Sequence, residues 1–288
     1  MENRGRTIRS QRRGYILLTV VVILAVAVLM LSRIASTSMR SASYAVENER
    51  SVRHQWAITS LRRMALNAAP SLLTQSSLAE NESSLGHSPI LWKEVGLAGE
   101  TWRVVLADES AKLNVSKLSA TAPTEQVAAC LRQLQTSRGL QSQSNFDKTA
   151  TRWDHWFELP AAGSGNRDTP AILIAAATQR LTLWGDGKLN VCRCDSESLD
   201  YLWHMLYSRP TPKQLQEIRH MRPTPTESHL IGSLALRESE ARLAAKWLTT
   251  ESQCYSVWIF CMSDRRVPAS FFVEWGRGQV RDRRGYEY

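Results

Sequence analysis

The sequence predicts an α+β fold: a long N-terminal helix packed on an antiparallel β-sheet, with a small helical insertion interrupting the sheet. Three observations predict it. An uncharged run from Tyr15 to Leu31 leads into a segment, Ser36 to Ala69, that contains neither Gly nor Pro. A Lys-Leu-Asn-Val string occurs twice, at Lys112 and again at Lys188, each time after an acidic turn. Near the C-terminus, two apolar and aromatic runs flank a polar turn, as in a β-hairpin. Composition agrees, because 43% hydrophobic residues in 288 are too many for a disordered chain. The net charge of +9 is partly local, since Arg4, Arg6, Arg9, Arg12 and Arg13 crowd the first few residues. A basic N-terminus, rather than a basic body, argues against nucleic-acid binding.

The apolar run YILLTVVVILAVAVLML has Thr19 as its single polar side chain. Its seventeen residues sit at the lower limit for a ~30 Å hydrocarbon core, and Ile34 and Ala35 extend it past Arg33. A cleaved secretory signal would need a shorter apolar core and a small-x-small site, which Ser32-Arg33-Ile34-Ala35 does not supply. Two readings stay open: an uncut single-span anchor, or a span left after cleavage between Gly14 and Tyr15. The continuation favours the second. Met39, Ala42, Val46, Trp56, Leu61, Met64 and Ala68 recur at helical spacing, while Arg40, Glu47, Glu49, Arg50, Arg53, Arg62 and Arg63 supply the polar surface. The expected organisation is a basic leader over 1–14, a transmembrane half-helix over 15–35, an amphipathic half-helix over 36–69 that ends before Pro70, and a globular domain over 90–288.

Within that domain Thr101–Leu106 and Arg180–Trp184 read as strands, each preceding one Lys-Leu-Asn-Val copy. Gly185-Asp186-Gly187 reads as a tight hairpin turn, because Gly accepts positive φ. Helices are expected from Glu125 to Leu134, with Val127, Leu131 and Leu134 on one face, and from Pro170 to Gln179. Others are expected after the Asp195 cap through Tyr207, from Lys213 to Met221, and from Arg237 to Trp247. The insertion is placed at about 117–179. Cys254–Cys261 and Ser270–Trp275 form the closing hairpin, and Arg277, Arg281, Arg283 and Arg284 a basic tail.

The leader, with its Arg cluster, a Gly at the cut and an aromatic first residue, resembles the class III signals of type IV pilins and pseudopilins. In that family a prepilin peptidase cuts after the Gly and methylates the new amino terminus, which would make Gly14 and Tyr15 the processing pair. Most members carry Glu five residues into the mature chain; here that position is Thr19. The K-type minor pseudopilin of the type II, or general, secretion pathway is the member known for lacking it. The body resembles the same member. Asp108, Glu109, Lys112 and Asn114 match its first motif, and Lys188 and Asn190 its second, although Ser116 and Cys192 stand where a second Asn is usual.

The resemblance implies a structural protein, not an enzyme: it would initiate or cap a secretion pseudopilus at its tip. Its partners would be other minor pseudopilins, the inner-membrane secretion platform, the prepilin peptidase and the lipid bilayer. It would be a single-pass protein of the inner (cytoplasmic) membrane with its globular domain in the periplasm. No cofactor and no metal is expected, since the acids of the insertion (Asp147, Asp154, Glu158, Asp168) form no oxygen-ligand loop. A minor type IV pilin serving adhesion, motility or DNA uptake is the nearer alternative, and a single-span anchored binding or hydrolase domain the more distant one.

No catalytic residue stands out. Gly185-Asp186-Gly187-Lys188 lacks phosphate-loop spacing, the six His form no H-E-x-x-H, and no Ser sits in G-x-S-x-G. Cys192, Cys194 and His204 supply too few ligands for a zinc site. The odd count of Cys (130, 192, 194, 254, 261) leaves their pairing open, with Cys130 read as a free buried thiol on its helix face.

Overall fold

The computed structural model describes residues 5–80, 90–135, 141–143, 151–158, 170–218, 221, 224–264, 267–276 and 282–288. Helix α1 spans Gly5–Glu80, and the chain divides within it into two units, Met1–Trp56 and Ala57–Tyr288. In the first unit the apolar side chains from Tyr15 to Leu31 are exposed, as are Met39, Val46 and Trp56.

The second unit is built on a five-stranded antiparallel sheet in the order Ile90–Leu97, Glu100–Asp108, Cys254–Cys261, Ser270–Trp275 and Asp282–Glu287. Strands β1 (Ile90–Leu97) and β2 (Glu100–Asp108) are joined by Ala98-Gly99, both at positive φ, the conformation a two-residue hairpin demands. From β2 the chain leaves the sheet and returns at β9 (Cys254–Cys261), which pairs directly with β2. Strand β10 (Ser270–Trp275) completes the expected hairpin, and β11 (Asp282–Glu287) adds an outer strand.

Between β2 and β9 the described residues include short strands and helices. A 3-10 turn at Glu109–Ala111 leads into β3 (Leu113–Asn114), α2 (Val115–Thr121) and α3 (Thr124–Leu134). Strands β4 (Gln141–Ser142) and β5 (Phe157–Glu158) pair antiparallel, followed by α4 (Pro170–Ala177) and β6 (Leu181–Thr182). Then come β7 (Leu189–Asn190), α5 (Ser196–Tyr207), α6 (Lys213–Ile218), α7 (Glu227–Ser233), α8 (Glu238–Trp247) and β8 (Leu248–Thr249).

The apolar run of β9 is explained by burial on both faces. Val257, Ile259 and Cys261 join Trp102 and Leu106 against α1, whose Ala57, Leu61, Leu66, Ala69 and Leu73 are buried. Cys254, Trp258 and Phe260 face the other way, into a core shared with Phe271, Val273, Trp153, Trp156 and Trp203. A helix segment, a sheet and a helical body thus form three layers, with large aromatics filling the lower core.

Several expectations are corrected. Helix α1 does not stop before Pro70. Pro70 lacks the N–H that Leu66 would receive, but the buried Leu66, Ala69 and Leu73 around it hold the helix to the sheet. The hydroxyls of Ser71 and Thr74 donate back to the carbonyls of Ala68 (2.9 Å) and Pro70 (2.6 Å). The face of α1 that meets the sheet carries small alanines, which permit close approach, whereas Met64 stays two-thirds exposed. The helices expected after Asp195, from Lys213 and toward Trp247 are present, with α7 (Glu227–Ser233) added between them. Gly185-Asp186-Gly187 is not a hairpin turn: β6 pairs in parallel with β3, and β7 in parallel with β8. Helices α4 and α6 end at Ala177 and Ile218, short of Gln179 and Met221. Arg283 and Arg284 lie in β11, not in a free tail, while Arg277 and Arg281 fall outside the described residues, as do Asp147 and Asp168. All five cysteines are buried thiols.

Candidate functional site

Two groups of residues singled out by sequence lie in different units. Gly14, Tyr15 and Thr19 are in the helical first unit. Tyr15 is 72% exposed, and the Thr19 hydroxyl donates to the Tyr15 carbonyl at 2.9 Å. A hydroxyl satisfied by its own helix can enter hydrocarbon without an orphaned donor. By length and composition the helix can cross a membrane, its best window reaching a mean hydropathy of 2.9.

The motif residues lie in the second unit and form a joint between sheet and helical body. Asp108 ends β2 and is wholly buried. Its Oδ1 accepts from the Ser110 N–H (3.0 Å), its Oδ2 from the Ser252 hydroxyl (2.5 Å), and Arg193 Nη1 lies 3.5 Å from Oδ2. Burial outweighs these partners and raises the Asp108 carboxyl to about 6. Glu109, buried next to it, pairs with Lys112 Nζ at 2.7 Å and accepts from the Ser256 hydroxyl on β9. Ser110 Oγ accepts the N–H groups of Gln253 and Cys254, pinning the start of β9. Burial pushes the Cys254 thiol well above its ordinary range.

The two Lys-Leu-Asn copies prove to be halves of a repeated lock. Each Leu-Asn pair forms a two-residue strand, and each is met in parallel by a Leu-Thr pair that follows a helix: Leu181-Thr182 after α4, Leu248-Thr249 after α8. Asn114 Nδ2 donates to the Trp184 carbonyl (2.8 Å) while its Oδ1 accepts from the Lys117 N–H (2.8 Å) and caps α2. Asn190 Nδ2 donates to the Ser252 hydroxyl (2.8 Å) and its Oδ1 accepts from the Cys192 N–H (3.0 Å). Each partner Thr turns its own chain, Thr182 accepting from Trp184 N–H and Thr249 from Glu251 N–H. The chain therefore makes two helical excursions between β2 and β9, each opened by Lys-Leu-Asn and closed by Leu-Thr.

The lysines are not equivalent. Lys112 is buried on Glu109, whereas Lys188 is only half-buried and pairs with Glu227 of α7 at 2.6 Å. Asp108, Glu109, Lys112 and Asn190 come together through Ser252 and Ser256; Asn114 and Lys188 stand apart from them. Ser252, Arg193 and the two Leu-Thr pairs carry the joint but give little sequence signal, being single polar residues or dipeptides in loops. Lys117 is another such residue. Its Nζ donates to the carbonyls of Gly187 (3.2 Å) and Lys246 (2.5 Å) and sits 4.7 Å from the Trp247 ring centre, tying the two excursions together. Gly187, at φ +76°, leaves the room this requires, since a Cβ there would meet Lys117 Cδ at 2.3 Å. Chemically this cluster holds chain segments together: the carboxylates of Asp108 and Glu109 are engaged by Ser252, Arg193, Lys112 and Ser256.

No family model and no curated protein matches the chain. Among solved structures, it is similar to the GspK-GspI-GspJ complex of the type 2 secretion system from enterotoxigenic Escherichia coli. The identity is 11% and the TM-score 0.42, over 83% of this chain and 99% of that chain.

Proposed function

We propose that this chain is a minor pseudopilin of a type II secretion system, of the K type, seated at the pseudopilus tip to initiate or cap it during protein export. One observation carries the reading: Arg12-Arg13-Gly14 stands directly before an uncharged run whose helix continues without interruption into an amphipathic segment. The paired Lys-Leu-Asn segments between β2 and β9, and Thr19 in place of the usual Glu, support the K type over other members.

On this reading the prepilin peptidase cuts after Gly14, whose missing side chain gives it access, and methylates Tyr15. The stretch from Tyr15 to Leu31 first anchors the subunit in the inner membrane, with the body in the periplasm. During assembly the same surface buries against the helices of other minor pseudopilins on the secretion platform. With Thr19 the helix offers no carboxylate to a preceding subunit's amino terminus, which suits a subunit that has none before it. Its role is positional, and the body needs no reactive group to fill it.

Gene deletion followed by complementation tests the proposal. The deletion strain is expected to retain its exported proteins in the periplasm. Wild type restores export, and Gly14→Val, which blocks the peptidase's approach, does not. Undiminished export in the deletion strain would contradict the reading, and lost pilus-dependent motility or DNA uptake with normal export would favour a type IV pilus.

A further inference from the structure

Arg193 connects three parts of the second unit. Its backbone lies in the turn after β7, where the N–H groups of Arg193 and Cys194 donate to the Asn190 carbonyl (3.2 and 2.9 Å). Its Nη2 donates to the Thr74 hydroxyl on α1 at 2.5 Å, and its Nη1 faces Asp108 at the end of β2. One guanidinium thus holds the helical body to both α1 and the sheet. Its side chain is only 21% exposed, but that opening gives it a route to water.

Asp108 is the charged half of this arrangement. The groups facing it are Arg193 from the turn after β7, Glu109 from the following 3-10 turn (itself paired with Lys112), and the Cys254 thiol from β9. Tyr255 stands opposite Asp108 in the sheet register, its hydroxyl donating to the Ser252 carbonyl. Thr74 supplies the contact from α1 and is uncharged. With both acids ionised and both bases charged the cluster is neutral. A proton taken from solvent by Asp108 leaves a surplus positive charge beside Arg193 and removes the attraction that holds the guanidinium inward.

We propose that Asp108 and Arg193 form an acid-released latch between α1 and the helical body, closed while Asp108 is ionised and opened when it takes up a proton. The protonated carboxyl keeps its hydrogen bonds to Ser252 and Ser110, so the sheet end stays in place while Arg193 turns to water. Because burial sets the Asp108 carboxyl at about 6, release falls within mild acidity. Relief of the buried charge stabilises the fold as a whole even as the latch loosens, so local and global stability move in opposite directions. The inference rests on this unit's own contacts and stands whether or not the chain is a pseudopilin.

Hydrogen–deuterium exchange on the full chain in detergent micelles, corrected for the intrinsic pH dependence of exchange, tests it. Between pH 7.5 and 5.0 the amides of residues 71–74 and 191–194 are expected to lose protection by about tenfold, the loss of one charge-assisted contact, while those of β9 and β10 keep theirs. Asp108→Asn should show the same protection at both pH values, and Arg193→Gln the low protection at both. Unchanged wild-type protection on acidification overturns the latch. So does an acid response that survives in Arg193→Gln, a result that decides the matter even where Asp108→Asn fails to fold.

Discussion

The first and second Lys-Leu-Asn copies share their letters and their backbone, yet only part of the side-chain chemistry repeats. In both, the Asn bridges two chain segments with its amide and holds a turn with its carbonyl oxygen. In the first copy the Lys is buried on a carboxylate; in the second it reaches α7 at the body's edge. The Asn supplies each two-residue parallel pair with one group that both donates and accepts: Asn114 meets backbone on both sides, and Asn190 meets the Cys192 N–H and the Ser252 hydroxyl. The Lys is dictated by its surroundings, a buried Glu109 in one case and a half-exposed Glu227 in the other.

Breaking that asymmetry should produce the largest effect. Lys112→Met leaves Glu109 buried without its counter-charge, with Oε2 already lacking a hydrogen-bond partner among the described residues, and is expected to cost about 3–5 kcal/mol in chemical denaturation. The acidic turns before the two copies differ in the same way. Asp108 is buried and Asp186 exposed. The Asp108 carboxyl is raised from 3.8 to about 6, so the folded state holds its proton more tightly than the unfolded state does. Its stabilising contribution is complete below about pH 3.8 and is lost as pH rises through about 6, a difference of about 3 kcal/mol. Subtracting the pH–stability curve of Asp108→Asn from that of wild type should reveal this slope.

The shared part of the comparison is sharpened by the asparagines. Asn114→Ala and Asn190→Ala should each lower stability by about 1–3 kcal/mol, and by similar amounts, because each removes two hydrogen bonds: for Asn114 to the Trp184 carbonyl and Lys117 N–H, for Asn190 to the Ser252 hydroxyl and Cys192 N–H. Lys188→Met should change it by no more than about 1 kcal/mol, the usual worth of a partly solvated pair. Equal losses for Lys112→Met and Lys188→Met would contradict the assignment of different roles.

Much of the architecture is legible in the sequence where side-chain pattern and burial coincide. The buried faces of α3 and α5, the Asp195 cap, and strands β2, β9 and β10 follow from spacing and cap chemistry. The outer strands do not. Lys93 and Glu94 interrupt β1, and β11 reads as a basic tail, because edge strands carry charge on their solvated side. Pro70 reads as a helix stop, yet packing of Leu66, Ala69 and Leu73 overrides its local preference. The echo of Lys-Leu-Asn exposes half of the joint. The other half, Leu181-Thr182, Leu248-Thr249, Ser252 and Arg193, is too short or too scattered for any periodicity to reveal.

The proposal that this chain works as a processed, membrane-stored subunit is tested most directly by N-terminal mass spectrometry on the membrane fraction. The account predicts a chain that begins at Tyr15 with a methylated amino group. An intact Met1, or a terminus beyond residue 31, would contradict it.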